Sequence, residues 1–88
     1  MADITIEFTI EPFTDGAPGA HVTRAIAAVE ALGIAVEIGP FGSTVRVDET
    51  RAGEVLSALA TAAYAHGATH VTIDTEKAAS AFGFDVFG

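Results

Sequence analysis

The chain has no cysteine and no tryptophan, a single tyrosine, and only four basic residues against twelve acidic ones. Each shortage closes off a class of function. Without cysteine there is no disulfide framework and no thiolate chemistry. A formal charge of −8 leaves no clustered Lys/Arg surface to neutralise the phosphates of nucleic acid or of an anionic membrane. No apolar run approaches the ~20 residues of a membrane span, and no basic-then-apolar leader opens the sequence. A cytoplasmic protein is therefore expected, with neutral or cationic ligands favoured by the acidic balance.

Eighty-eight residues make one domain, and half of them are hydrophobic. A domain this short buries a limited core, so part of that apolar content is expected to face another subunit.

The organising stretch is Gly33–Val47, GIAVEIGPFGSTVRV, read as two β-branched strands around a polar turn, Pro40-Phe41-Gly42-Ser43-Thr44. Before it, Ile4, Ile6, Phe8 and Ile10 alternate with Thr5, Glu7, Thr9 and Glu11. That period of two predicts a strand with one buried face, ended by Pro12. Val22, Ile26, Val29 and Leu32 then recur at helical spacing, with Pro18 suited to the first turn and Gly33 at the end. The opposite side of that helix carries Arg24, Ala27, Ala28 and Ala31. In the hairpin, Ile34, Val36 and Ile38 share one face, as do Val45 and Val47. Thr50 is the simplest N-cap for a second helix, with Glu54 in its first turn. Val55, Leu59, Ala62 and His66 form the second apolar stripe, and Gly67 is the matching terminator. Val71 and Ile73 in HVTID make a short last strand.

The halves repeat as strand, helix, glycine, strand. The expected fold is α+β and ferredoxin-like, βαββαβ, with a four-stranded antiparallel sheet in the order 4-1-3-2 and two helices on one face. This domain would occupy residues 1–76. The remaining tail, residues 77–88, holds Phe82, Phe84, Val86 and Phe87 and is expected to cover apolar surface on its own subunit or a neighbour. The sheet face away from the helices would carry Thr5, Glu7, Thr9, Glu37, Thr44, Arg46, His70, Thr72 and Asp74. Such a face serves equally as a solvated surface or as a surface for a ligand or partner.

Catalytic patterns are weak. Nothing around Ser43 forms a nucleophile elbow, and His21, His66 and His70 lack metal-ligand spacing. His66 reads as a packed residue at a helix end and His21 as a surface residue. GPFG is not a nucleotide-binding glycine loop. No catalytic residue and no cofactor is expected.

One resemblance gives these elements a function. The turn IGPFGST, preceded by AIAAVEALGIAVEIG and followed by AHGATHVTID, resembles the thiamine/hydroxymethylpyrimidine-binding proteins, the YkoF-like domain. It extends from about Ile4 to Glu76, and its most specific part is Pro40–Thr44. It implies a non-catalytic protein that binds thiamine or its hydroxymethylpyrimidine moiety in vitamin salvage or buffering, and that assembles as a homo-oligomer, a dimer or a tetramer. It implies that Ser43 and Thr44 hydrogen-bond the aminopyrimidine, that Phe41 stacks on a ring, and that Glu7, Thr9 and Thr72 complete the site. The same residues also suffice to shape and satisfy a turn on an exposed sheet. Two other readings stay open. One is an ACT-like regulatory or oligomerisation module sensing another small ligand. The other, ranked last because Tyr64 lies opposite the core stripe, is an enzyme of the dimeric α+β barrel kind.

Overall fold

The computed structural model describes residues 2–13, 18–40 and 42–77. The elements in chain order are β1 (Asp3–Glu11), α1 (Ala20–Glu30), β2 (Glu37–Ile38), β3 (Ser43–Asp48), a 3-10 turn (Glu49–Arg51), α2 (Ala52–Ala65) and β4 (His70–Lys77). They make one antiparallel sheet in the order β2-β3-β1-β4, the expected 4-1-3-2, and the fold is ferredoxin-like. The Phe-containing tail lies outside the described residues, as does Phe41.

β1 sits between β3 and β4, and its alternation sorts the whole sheet. Ile6, Phe8 and Ile10 are buried beneath the helices, where they meet Val45 and Val47 of β3. Glu7 is exposed on the other face, with Thr5 and Thr9 half-buried beside it. A one-residue slip would exchange these two sets, so burial of the even-numbered residues fixes the register.

The helices close over that face at four-residue intervals. α1 buries His21, Ala25 and Val29, and α2 buries Val55, Leu59 and Ala63. Val29, Val55 and Leu59 of the expected stripes are fully buried, but Val22, Ile26, Leu32 and Ala62 are only half-buried, and the small Ala25 and Ala63 are as fully buried as the larger residues. Small side chains allow close helix approach, so alanines take places in these stripes beside the larger residues. Gly33 and Gly67 follow the two helices with φ of +81° and +108°, as the terminator positions require.

Several local expectations are corrected. β2 is two residues long instead of five. Ile34 still goes into the core and Val36 packs half-buried against it, without laddering to β3, while Ala35 between them is exposed. Ile38 stays 69% exposed at the sheet edge. β4 is longer than expected because β1 offers it a template of eight consecutive partners, from His70 opposite Glu11 to Lys77 opposite Ile4. Asp48, not Thr50, caps the turn before α2, accepting bonds from the Thr50 amide at 3.0 Å and hydroxyl at 2.5 Å. His66 is exposed, since α2 ends at Ala65. His21 is buried, with its Nε2 2.5 Å from the Pro12 carbonyl oxygen, and so joins the start of α1 to the end of β1. Arg51 donates from Nη2 to the Leu32 carbonyl at 2.9 Å and from Nε to Glu54, tying the end of α1 to the start of α2.

Truncating Leu59, fully buried in this core, to alanine is expected to cost about 2–5 kcal/mol of unfolding free energy in a urea titration. Removing the exposed Tyr64 ring should change it by less than about 0.5 kcal/mol. Equal losses would contradict the assigned helix faces.

The Thr50 hydroxyl and amide hold the Asp48 carboxyl below its ordinary pKa of 3.8. A depressed carboxylate contributes stability above its unfolded pKa and loses it as pH falls through the folded one. Asp48→Asn should therefore flatten the fall in melting temperature below about pH 4. An acid limb as steep as that of the parent chain would contradict this.

Candidate functional site

Antiparallel partners stand side by side on one face, so the register can be read as rows across the sheet. On the face away from the helices, Glu37, Thr44, Glu7 and Asp74 form one row. Thr9 and Thr72 form the next, and Arg46, Thr5 and Glu76 lie on the other side. The threonines are there because β-branched residues suit a pleated surface, and the carboxylates because that face meets water.

Where the β2–β3 hairpin turns, this face is concave. A hollow of about 400 Å³ is bordered by Glu7, Thr9, Thr44, Thr72 and Asp74, with Gly39, Pro40 and Gly42 as its rim. The Gly39 amide donates to the Gly42 carbonyl at 2.8 Å and closes the turn. Gly42 has a steric reason to be glycine. A Cβ there would come within 3.0 Å of the Thr9 methyl and 3.1 Å of the Phe8 carbonyl oxygen. Gly42 thus lies close against β1, and the register that follows sets Thr44 beside Glu7.

Four of the expected site residues, Glu7, Thr9, Thr44 and Thr72, come together around the hollow. Ser43 is separated from them. It is already within β3, opposite Phe8, and alternation sends its side chain towards the helices with those of Val45 and Val47; it is 8% exposed. Its backbone still borders the hollow. Phe41 lies outside the described residues. Asp74 belongs to the site although sequence reasoning placed it only on the open face. Its signal was its phase with Thr72, and the register supplies the rest by setting it opposite Glu7.

Chemically, the hollow offers hydroxyls that donate or accept and carboxylates that accept. Among the described residues, no three side chains gather with the chemistry and spacing to hold a metal ion. A larger concavity, about 900 Å³, runs along the β3 edge beside residues 33–37 and contains Arg46 and Arg51. It exists because β2 is short. Thr5, Glu37, Thr44 and Asp48 line it as well, and Arg51 is already committed to Leu32 and Glu54. No helix among the described residues is long and apolar enough to cross a membrane.

No family model matches the chain, and no curated protein matches it. Solved structures share its fold. A domain of unknown function, DUF77, from Bacillus cereus aligns with a TM-score of 0.64 at 20% identity, covering 89% of this chain and 76% of that one. Protein SP2199 from Streptococcus pneumoniae gives 0.66 at 15% identity, covering 89% and 87%. A proposed thiamine biosynthesis/salvage protein, TM0486, from Thermotoga maritima gives 0.64 at 21% identity, covering 96% and 90%.

Like charges directly opposite one another destabilise a sheet. Glu7→Gln should accordingly raise the melting temperature in low salt, by the equivalent of a few tenths of a kcal/mol, with the gain shrinking as salt is added. A fall in melting temperature would show that Glu7 and Asp74 do not repel across β1 and β4.

Proposed function

We propose that the protein is a non-catalytic binding protein for thiamine or its hydroxymethylpyrimidine moiety, acting in the cytoplasm in vitamin salvage or buffering, and that it works as a homo-oligomer. The observation that carries this reading is the row Thr44–Glu7–Asp74 beside the pair Thr9–Thr72. An aminopyrimidine presents ring nitrogens that accept and an exocyclic amine that donates. Threonine hydroxyls can donate to the former and a carboxylate can accept from the latter. The acidic row also suits the cationic thiazolium ring of intact thiamine. The fold likeness to TM0486 and the resemblance of the hairpin turn to YkoF-like domains support the same ligand class. Thr44, Glu7, Thr9, Thr72 and Asp74 are the proposed contacts, with Ser43 contributing backbone.

Calorimetric titration with hydroxymethylpyrimidine and with thiamine tests the proposal. Binding is expected with both, and Thr44→Val or Glu7→Gln should each weaken it about tenfold or more, the scale of one lost hydrogen bond to a charged group or buried acceptor. A pyrimidine analogue with a carbonyl in place of the amine should bind more weakly, because it sets an acceptor against a carboxylate. No heat and no thermal shift at millimolar ligand, or equal affinity for the amine-free analogue, would overturn the proposal.

A further inference from the structure

The two edges of the sheet are not equally protected. Sheet edges resist pairing when they are short, bulged, charged inwards, interrupted by proline or covered by a helix or loop. β2 has the first protection, at two residues, and Gly39 and Pro40 follow it. Among the described residues, β4 has none of them. It runs for eight residues without glycine or proline and keeps an unbroken register with β1. Val71, Thr72, Ile73 and Thr75 are β-branched, which favours the extended chain. The strand's single lysine, Lys77, stands at its end, 3.2 Å from Glu49. Ile73, at its middle, is 36% exposed on the helix side, although its neighbour Phe8 in the same row is buried.

We infer that two copies of this chain join β4 to β4, antiparallel, with Ile73 opposite Ile73, to form one eight-stranded sheet. The inference rests on the homo-oligomer reading above and gives it a surface. Charge selects the register. A two-fold axis through position 73 sets His70 opposite Glu76, Val71 opposite Thr75 and Thr72 opposite Asp74, so no carboxylates meet. An axis through position 74 would set Asp74 against Asp74, which is unfavourable. An axis through position 72 would pair only residues 70–74 of the strand, where the axis at 73 pairs residues 70–76. Charge also argues against packing the open faces on each other. Each carries Glu7, Glu37, Asp74 and Glu76 against Arg46 alone, so two such faces would repel. In the joined sheet, Thr72 of the second copy stands beside Asp74 of the first, and the two hollows become neighbours across the axis.

The absence of cysteine makes the test direct. In the 88-residue chain, Ile73→Cys would place two thiols on Cα atoms about 4.5–5.5 Å apart, within disulfide reach. Thr75→Cys would place them about 13 Å apart along the strands, out of reach. Under mild oxidation, Ile73→Cys should run as a covalent dimer on a non-reducing gel and Thr75→Cys as a monomer. Light scattering of the parent chain should give at least twice its 9.0 kDa mass. Ile73→Lys should bring the mass down to one chain with an unchanged circular dichroism spectrum. A parent chain that is monomeric at micromolar concentration overturns both this inference and the homo-oligomer reading. An oligomer in which Ile73→Cys stays reduced, or in which Thr75→Cys cross-links equally well, overturns the β4 pairing alone.

Discussion

Everything in this molecule depends on the two-residue alternation of β1. It is the central strand, laddered on both sides, so the phase of its side chains is imposed on β3 and β4 together. Ile6, Phe8 and Ile10 draw the helices to one face by the area they remove from water, about 25 cal/mol for each Å². The same phase leaves Glu7 and the half-buried Thr5 and Thr9 on the other. Core and candidate site are two sides of one constraint, and neither can shift without the other.

The polar face has a cost that the fold tolerates. Glu7 faces Asp74 across two strands, and Glu37 completes the row beyond Thr44. A sheet selected for stability alone would alternate signs there. Repulsion of this kind falls when a cation or a hydrogen-bond donor enters, which links stability to ligand binding by mass action. Gly42 belongs to the same design, because only the missing side chain lets its backbone lie against Thr9 and the Phe8 carbonyl.

The outline of the fold was legible because its signals are periodic and local. The alternation of residues 4–11, the terminators Gly33 and Gly67, and the repeated order of elements gave the topology that the structure has. What stayed hidden depends on non-local packing. Residues 34–36 are as apolar as a strand, but Ile34 and Val36 reach the core without a ladder and Ala35 stays exposed. Ala25 and Ala63 are buried as fully as Val29, Val55 and Leu59, because small residues suit a close helix contact, and no hydropathy scale ranks alanine above the half-buried Ile26 and Leu32. His21 is buried because the topology returns the end of β1 to the first turn of α1. For the site, strand phase brought Glu7, Thr9, Thr44 and Thr72 to one face. It separated Ser43 from Thr44 for the same reason, once both proved to be within β3 instead of the turn. Asp74 needed the register between β1 and β4, which no pattern within one strand contains.

The central claim is that the ligand sits on the open face, above the hydroxyls and away from the core. Methyl-resolved NMR during a hydroxymethylpyrimidine titration tests it most directly, since the threonine methyls report the open face and the Ile6, Val45, Val55 and Leu59 methyls report the core. The account predicts saturable shifts at Thr9, Thr44 and Thr72 while the core methyls stay in place. Shifts centred on the core methyls, or no shift at the three threonines, would contradict it.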